Sequence, residues 1–351
     1  MAILAERFVH VIGVDTHKLT LSAAVLNSVG GVLESCEVAA NEAGHRRLIA
    51  MAARYPSPLL WAVEGTGSYG ACLTQHLAAA GQVVTEVDRP KRPVRKAGKS
   101  DQLDAVRAGR DALAMKHINS PRRREEREQI RVLLTTRAEL VRTRTSLCNQ
   151  LQQLVVTASQ VLRARFLETN PRRHSSERLV RRCLLARGGS RLGPEDRTRL
   201  TAMRDLSGLI QGITARADSY EREMKGLVEA MAPSLLAEPG IGTLTGAQIL
   251  VSWSHAGRLA SEATFAALAG VAPIPASSGQ VVRHRLNRGG DRRLNAALHT
   301  IVLNRCRYHQ ETRDYVARRS AEGKSQREIR RCLKRYLARQ LFKFLANVDK
   351  G

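Results

Sequence analysis

Between residues 9 and 87 the chain sets down five short apolar runs, at 9–14, 21–26, 32–38, 59–63 and 83–87. Runs of this length suit strands better than core helices, and turn-forming or helix-forming residues separate them. Gly30-Gly31 turns the second run into the third. Asn41 offers a helix cap before a stretch to about residue 54 whose Leu48, Ile49, Met51 and Ala52 form one apolar side. Residues 69–80 predict a second helix ended by Gly81. A third helix opens at Asp101. The order β-β-β-α-β-α-β-α predicts an α/β layer built around a mixed sheet.

The rest of the chain reads as helical. Leu133, Leu140, Leu147 and Leu154 recur every seven residues in an Arg-rich stretch, which predicts a long helix with a coiled-coil seam. Arg137 and Arg144 interrupt that seam, so a polar-tolerant hairpin or dimer contact is expected rather than a free zipper. Its partner helix is expected from about Pro194 to Met231, running antiparallel. Residues 165–198 carry the Arg, Ser, Gly and Pro content of a loop-containing connector. After Pro239 come two short helices, a non-helical stretch over 271–290 and basic helical stretches over 292–319 and 325–347. The fold class is therefore α/β plus α, in three expected parts: an α/β domain at 1–120, a basic helical connector at 121–232 and a mainly helical domain at 233–351.

Charge narrows the function. The 57 Lys and Arg residues exceed the 32 Asp and Glu residues, for a formal net charge of +25. The excess sits in two blocks: residues 121–200 carry 19 basic and 8 acidic side chains, and residues 281–351 carry 19 and 6. Arg-rich blocks pair with phosphate through their guanidinium forks, so a nucleic acid is the expected partner. No apolar run approaches the ~18–20 residues of a membrane span, and the charged N-terminus does not resemble a signal peptide. A soluble cytoplasmic protein, nucleoid-associated when acting, is expected. The 6 cysteines are scattered without zinc-finger spacing, which excludes a disulfide framework and a structural zinc site.

Four carboxylates carry the strongest chemical signal. Asp15 follows the first strand, Glu64 ends the fourth, and Asp101 and Asp104 open a helix on one face. Singly, each reads better as a turn or capping residue. Together, with Gly65, Gly67 and Gly70 beside Glu64, they form an oxygen-rich set suited to Mg²⁺. His17, two residues from Asp15, could touch the metal or the phosphate, though a satisfied surface histidine is the better reading. Lys91, Arg92, Arg95, Lys96 and Lys99 form a cationic segment just before Asp101. The turn at Gly240 and Gly242 reads either as a plain helix connection or as a backbone-amide phosphate holder. Ser277 and Ser278 precede Gly279 and are followed by Arg283, Arg285, Arg288, Arg292 and Arg293. A serine there is placed to attack a phosphodiester whose developing charge the arginines stabilise, and a plain loop is the alternative on the residues alone.

The blocks GVDTHK, VEGTGSYG and KSDQLDA, followed by EPGIGTLTGAQIL, LAGVAPIPASSG and RGGDRRLNAALH, resemble the DEDD-type insertion-sequence transposases. That family includes Piv-like DNA invertases and bridge-RNA-guided recombinases. The resemblance covers nearly the whole chain. It implies a RuvC-like domain of the ribonuclease H fold, a coiled-coil connector and a C-terminal transposase domain with a helix-hairpin-helix-like element. It further implies that Asp15, Glu64, Asp101 and Asp104 hold Mg²⁺ and that Ser278 is the nucleophile, with its neighbour Ser277 the alternative. Donor and target DNA, a structured noncoding guide RNA and a homo-oligomer, tetramer or dimer, are the implied partners, with the leucine seam as an inter-subunit contact. Two other readings compete: a RuvC-like structure-specific endonuclease that uses water, and a non-catalytic nucleic-acid-binding protein.

Overall fold

The structure is a computed structural model that describes residues 2–88, 101–122, 124–166, 175–189, 192–275, 284–285, 287 and 289–348. Two compact units make up the chain: one of residues 1–123 and 254–260, the other of residues 124–253 and 261–351.

The first unit is built on a five-stranded sheet of β1 (His10–Thr16), β2 (Thr20–Asn27), β3 (Val32–Ala39), β4 (Leu59–Glu64) and β5 (Val83–Val87). Their order is β3-β2-β1-β4-β5, with β1, β2 and β3 antiparallel and β1, β4 and β5 parallel. This is the mixed sheet that the apolar runs predict. Among the described residues the α-helices of this unit are α1 (Glu42–Ala52), α2 (Ala71–Ala79) and α3 (Asp101–Leu113). Asn41 caps α1 as expected, its side chain accepting from the Gly44 amide at 2.9 Å.

Strand alternation divides the apolar residues between two faces. Ile12, Val14, Trp61 and Val63 form one core with Leu48 and Met51 of α1 and Leu73 and Leu77 of α2. Val11, Leu60 and Ala62 point the other way, toward Ala112 and Leu113 of α3. The buried stripe of α3 is Ala105, Ala108, Gly109 and Ala112, all small. That lets the helix lie very close to the sheet: a β-carbon placed on Gly13 would sit 2.0 Å from the Ala105 carbonyl oxygen and 2.6 Å from the Gly109 nitrogen.

The second unit is helical. It contains α4 (Glu125–Val156), α5 (Gln160–Arg163), α6 (Ser176–Leu185) and α7 (Pro194–Met231), then α8 (Thr243–Trp253), α9 (Glu262–Leu268), α10 (Arg292–Tyr308), α11 (Gln310–Ala321) and α12 (Gln326–Val348). A short pair of strands, β6 (Ile274–Pro275) and β7 (His284–Arg285), runs antiparallel. The expected antiparallel hairpin is α4 against α7. Arg137 meets Glu221 at 2.7 Å, and Arg199 donates to Thr157 at 2.6 Å near the opposite end.

The seam differs from the simple leucine register. The fully buried apolar positions of α4 are Ile130, Leu151 and Val155, while Leu133, Leu140, Leu147 and Leu154 are half-buried. Arg137 interrupts the leucines because it faces the acidic Glu221 of α7. Leu147 and Leu154 pack within the chain on a core that includes Leu151, Cys183 of α6, and Leu200, Met203 and Ile210 of α7. Leu151→Ala is expected to destabilise this hairpin by about 2–4 kcal/mol, read as a lower urea midpoint for loss of helical circular dichroism. The predicted helix over 292–319 is broken at His309, whose extended backbone (φ −93°, ψ 115°) separates α10 from α11.

Candidate metal centre

Asp15 and Glu64 stand at the C-terminal ends of neighbouring parallel strands, one residue beyond the aligned pair Val14 and Val63. Each continues the face of Val11 and Gly13, or of Leu60 and Ala62, that α3 covers, so alternation aims both carboxylates under the first turn of that helix. Both are nearly buried, at 4% and 2% exposure. Two devices hold the strand ends together. The Thr16 hydroxyl donates to the Glu64 carbonyl at 3.0 Å, and the chain after Glu64 turns tightly through Gly65 (φ +63°). Gly70 approaches the Glu64 carbonyl so closely that a β-carbon would lie 2.9 Å away, whereas Gly67 faces open space.

The first turn of α3 carries Asp101 and Asp104. The four carboxylates divide into two pairs. Asp15 and Asp101 share His17, whose Nε2 lies 3.0 Å from Asp15 Oδ2 and 3.5 Å from Asp101 Oδ2. One ligand atom from each of these three residues lies within 4.8 Å of the others, close enough to hold one cation. His17 is thus a surface histidine, its side chain 38% exposed, that also bridges the two carboxylates. Its signal was the Asp-Thr-His spacing, which at a strand end returns the third side chain to the face of the first.

Glu64 and Asp104 meet a cation already in the chain. Arg107 Nη2 bonds to Glu64 Oε1 and lies 3.6 Å from Asp104 Oδ1, one helical turn away. Its Nε and Nη1 are buried with no hydrogen-bond partner. Sequence reasoning missed Arg107, although the i, i+3 spacing from Asp104 was a legible signal.

Two hard carboxylate oxygens and an imidazole converging on one point are a donor set that fits a divalent cation. Lys91, Arg92, Arg95, Lys96 and Lys99, expected beside this centre, lie outside the described residues.

In the helical unit, Ser277, Ser278, Arg283 and Arg288 also lie outside the described residues; β6 and β7 flank residues 276–283. Arg285, Arg292 and Arg293 are exposed. The α10 start just beyond is firmly anchored. Asp291 caps it, accepting from the Arg293 and Leu294 amides, and also accepts from the Ser252 hydroxyl at 2.6 Å. Asn295 donates to the Ala269 carbonyl at 2.7 Å and accepts from Lys334 of α12 at 3.0 Å. Burial, aided by nearby Arg331, holds the Lys334 ammonium below the usual lysine range.

The turn at Gly240 and Gly242 has structural work of its own. Gly240 (φ +79°) passes the Ile301 carbonyl of α10, and Arg305 donates to the Pro239 carbonyl at 2.7 Å. The Gly242 amide donates to the Thr245 hydroxyl at 3.0 Å.

Residues 12–159, which include the acidic centre, match the DEDD-type IS110 family described as transposase, and residues 232–317 match the family described as Transposase IS116/IS110/IS902. The chain is 27% identical to an uncharacterized 42 kDa protein of insertion element IS900 from Mycobacterium paratuberculosis, over 89% of each chain. It is 25% identical to a 44.8 kDa protein of insertion element IS116 from Streptomyces clavuligerus, over 89% of this chain and 88% of the relative. An acidic centre and a transposase match in each half define an insertion-sequence transposase, a class that acts on DNA. The two matches, over residues 12–159 and 232–317, support an insertion-sequence transposase of the IS110/IS116/IS902 kind. Among the described residues, no helix is long and apolar enough to cross a membrane.

Proposed function

We propose that this transposase is a Mg²⁺-dependent DNA recombinase that cuts and rejoins strands through a phosphoserine link on Ser278, guided by a structured noncoding RNA. The observation that carries the metal half of this reading is the convergence of Asp15 and Asp101, with His17 between them, beside Glu64. Asp15, Glu64, Asp101 and Asp104 would hold the ion, the first two carried by the ends of β1 and β4 and the other two by the first turn of α3. The ion supplies charge neutralisation to a phosphodiester during displacement at phosphorus.

Ser278 acts as nucleophile: its oxygen bonds to phosphorus while a sugar oxygen of the DNA leaves and takes up a proton. Rejoining reverses those bonds with a second DNA end. Arg283, Arg285, Arg288, Arg292 and Arg293 stabilise the charge that builds on the phosphate oxygens. The anchored start of α10 gives Arg292 and Arg293 a rigid base.

The first 120 residues act as a RuvC-like catalytic domain, residues 121–232 as the basic connector and residues 233–351 as the transposase domain. The two basic blocks, the segment of Lys91, Arg92, Arg95, Lys96 and Lys99, and the Gly240–Gly242 turn hold donor DNA, target DNA and guide RNA by their backbones. A homo-oligomer, dimer or tetramer, brings the domains of different copies to one DNA junction.

The test is covalent trapping of the full chain with its flanking RNA, cognate DNA and Mg²⁺, resolved on a denaturing gel with mass spectrometry of the adduct. A DNA adduct on Ser278 is expected, lost with EDTA and in Ser278→Ala. An adduct mapping to Ser277 would exchange the roles of the two serines. Cleavage without any adduct, retained in Ser278→Ala, would establish instead the water-using RuvC-like endonuclease, the reading that the acidic centre by itself favours.

A further inference from the structure

We propose that Arg107 is a latch on Glu64, a built-in cation that occupies half of the acidic centre and yields Glu64 when a divalent ion enters. The inference rests on the reading of Asp15, Glu64, Asp101 and Asp104 as a divalent-cation site.

The geometry separates the two ends of that site. Asp15 and Asp101 converge with His17 on a shared point, whereas Glu64 and Asp104 are drawn to the Arg107 guanidinium. Glu64 is nearly buried, so an uncompensated charge there would be costly, and Arg107 supplies the compensation from within the chain. The compensation is incomplete on the arginine side. Arg107 approaches both carboxylates through Nη2, while Nε and Nη1 are buried without a hydrogen-bond partner. A guanidinium that reaches carboxylate through one nitrogen forgoes the bidentate fork that makes such pairs strong, and its buried unpaired donors raise the energy of the closed arrangement. Its side chain is 27% exposed, so a path to solvent is open when Glu64 turns to a metal. Arg107 is thus a positioning residue that sets how readily the site loads.

The test measures Mn²⁺ binding to the full chain without nucleic acid, by titration calorimetry and by the electron paramagnetic resonance of free Mn²⁺. Arg107→Met is expected to tighten Mn²⁺ binding by at least about tenfold, because the competing charge is gone. In a Glu64→Gln background the same change is expected to gain less than about threefold, because Arg107 then no longer holds the glutamate that the ion must win and keeps only its longer contact to Asp104. Equal gains in both backgrounds would overturn the latch, since Arg107 would then act only as a nearby charge. Unchanged or weaker binding in Arg107→Met, with binding lost in Asp15→Asn, would overturn the latch and leave the metal site standing. Binding unaffected by Asp15→Asn would remove the metal site and the latch with it. If metal-free melting shows that Arg107→Met is unfolded, Arg107→Gln carries the same comparison, with the same gain expected and its absence decisive.

Discussion

Gly13→Val is expected to cost the α/β unit about 3 kcal/mol and to abolish divalent-cation binding in the same step. Even the first atom of the new side chain has no room. It would lie 2.0 Å from the Ala105 carbonyl oxygen and 2.6 Å from the Gly109 nitrogen, both backbone atoms of α3. No rotamer change relieves a clash with backbone, so the helix must lift from β1. Lifting α3 uncovers the sheet face of Val11, Leu60 and Ala62 and carries Asp101 away from Asp15. Urea unfolding and Mn²⁺ titration together check this result. A variant with wild-type midpoint and wild-type Mn²⁺ binding would mean that α3 does not sit on β1 as described.

Asp15→Asn is expected to lower strand cleavage at least about 10³-fold while leaving nucleic-acid affinity within about twofold. Asn keeps the shape of Asp15 and a partner for His17, 3.0 Å away, so the substitution removes charge without opening a cavity. The basic blocks proposed to meet phosphate lie elsewhere in the sequence, so binding should survive and keep its salt dependence. Asp111→Asn is the control. Asp111 is exposed on α3, outside the acidic cluster, and its loss should change neither quantity by more than about twofold. Single-turnover cleavage and filter binding at two salt concentrations make the comparison, and full cleavage by Asp15→Asn would remove Asp15 from the reaction.

Much of this arrangement was legible because it depends on local periodicity. The five apolar runs at residues 9–87 became the five strands, Asn41 became the cap of α1, and the antiparallel partner of the Arg-rich helix runs from Pro194 to Met231. Side-chain alternation along β1 and β4 likewise makes Asp15 and Glu64 members of one face once the strands are neighbours. Features that required two distant segments to meet were not legible. The leucine spacing of α4 is real, yet Arg137 faces its partner because Glu221 waits 84 residues away. Gly13 reads as an ordinary strand glycine until the helix of Ala105 and Gly109 lies against it.

Local residue pattern is enough to say which segments become strands and helices, where the positive charge gathers, and that four carboxylates open or close elements of one α/β unit. Tertiary structure decided how those carboxylates are shared: Asp15 and Asp101 with His17, Glu64 and Asp104 with Arg107. The reason is physical. Periodicity is a property of neighbouring residues, whereas the partner of a charge depends on which backbones can approach, and here the approach is set by a glycine on β1 and a stripe of small residues on α3.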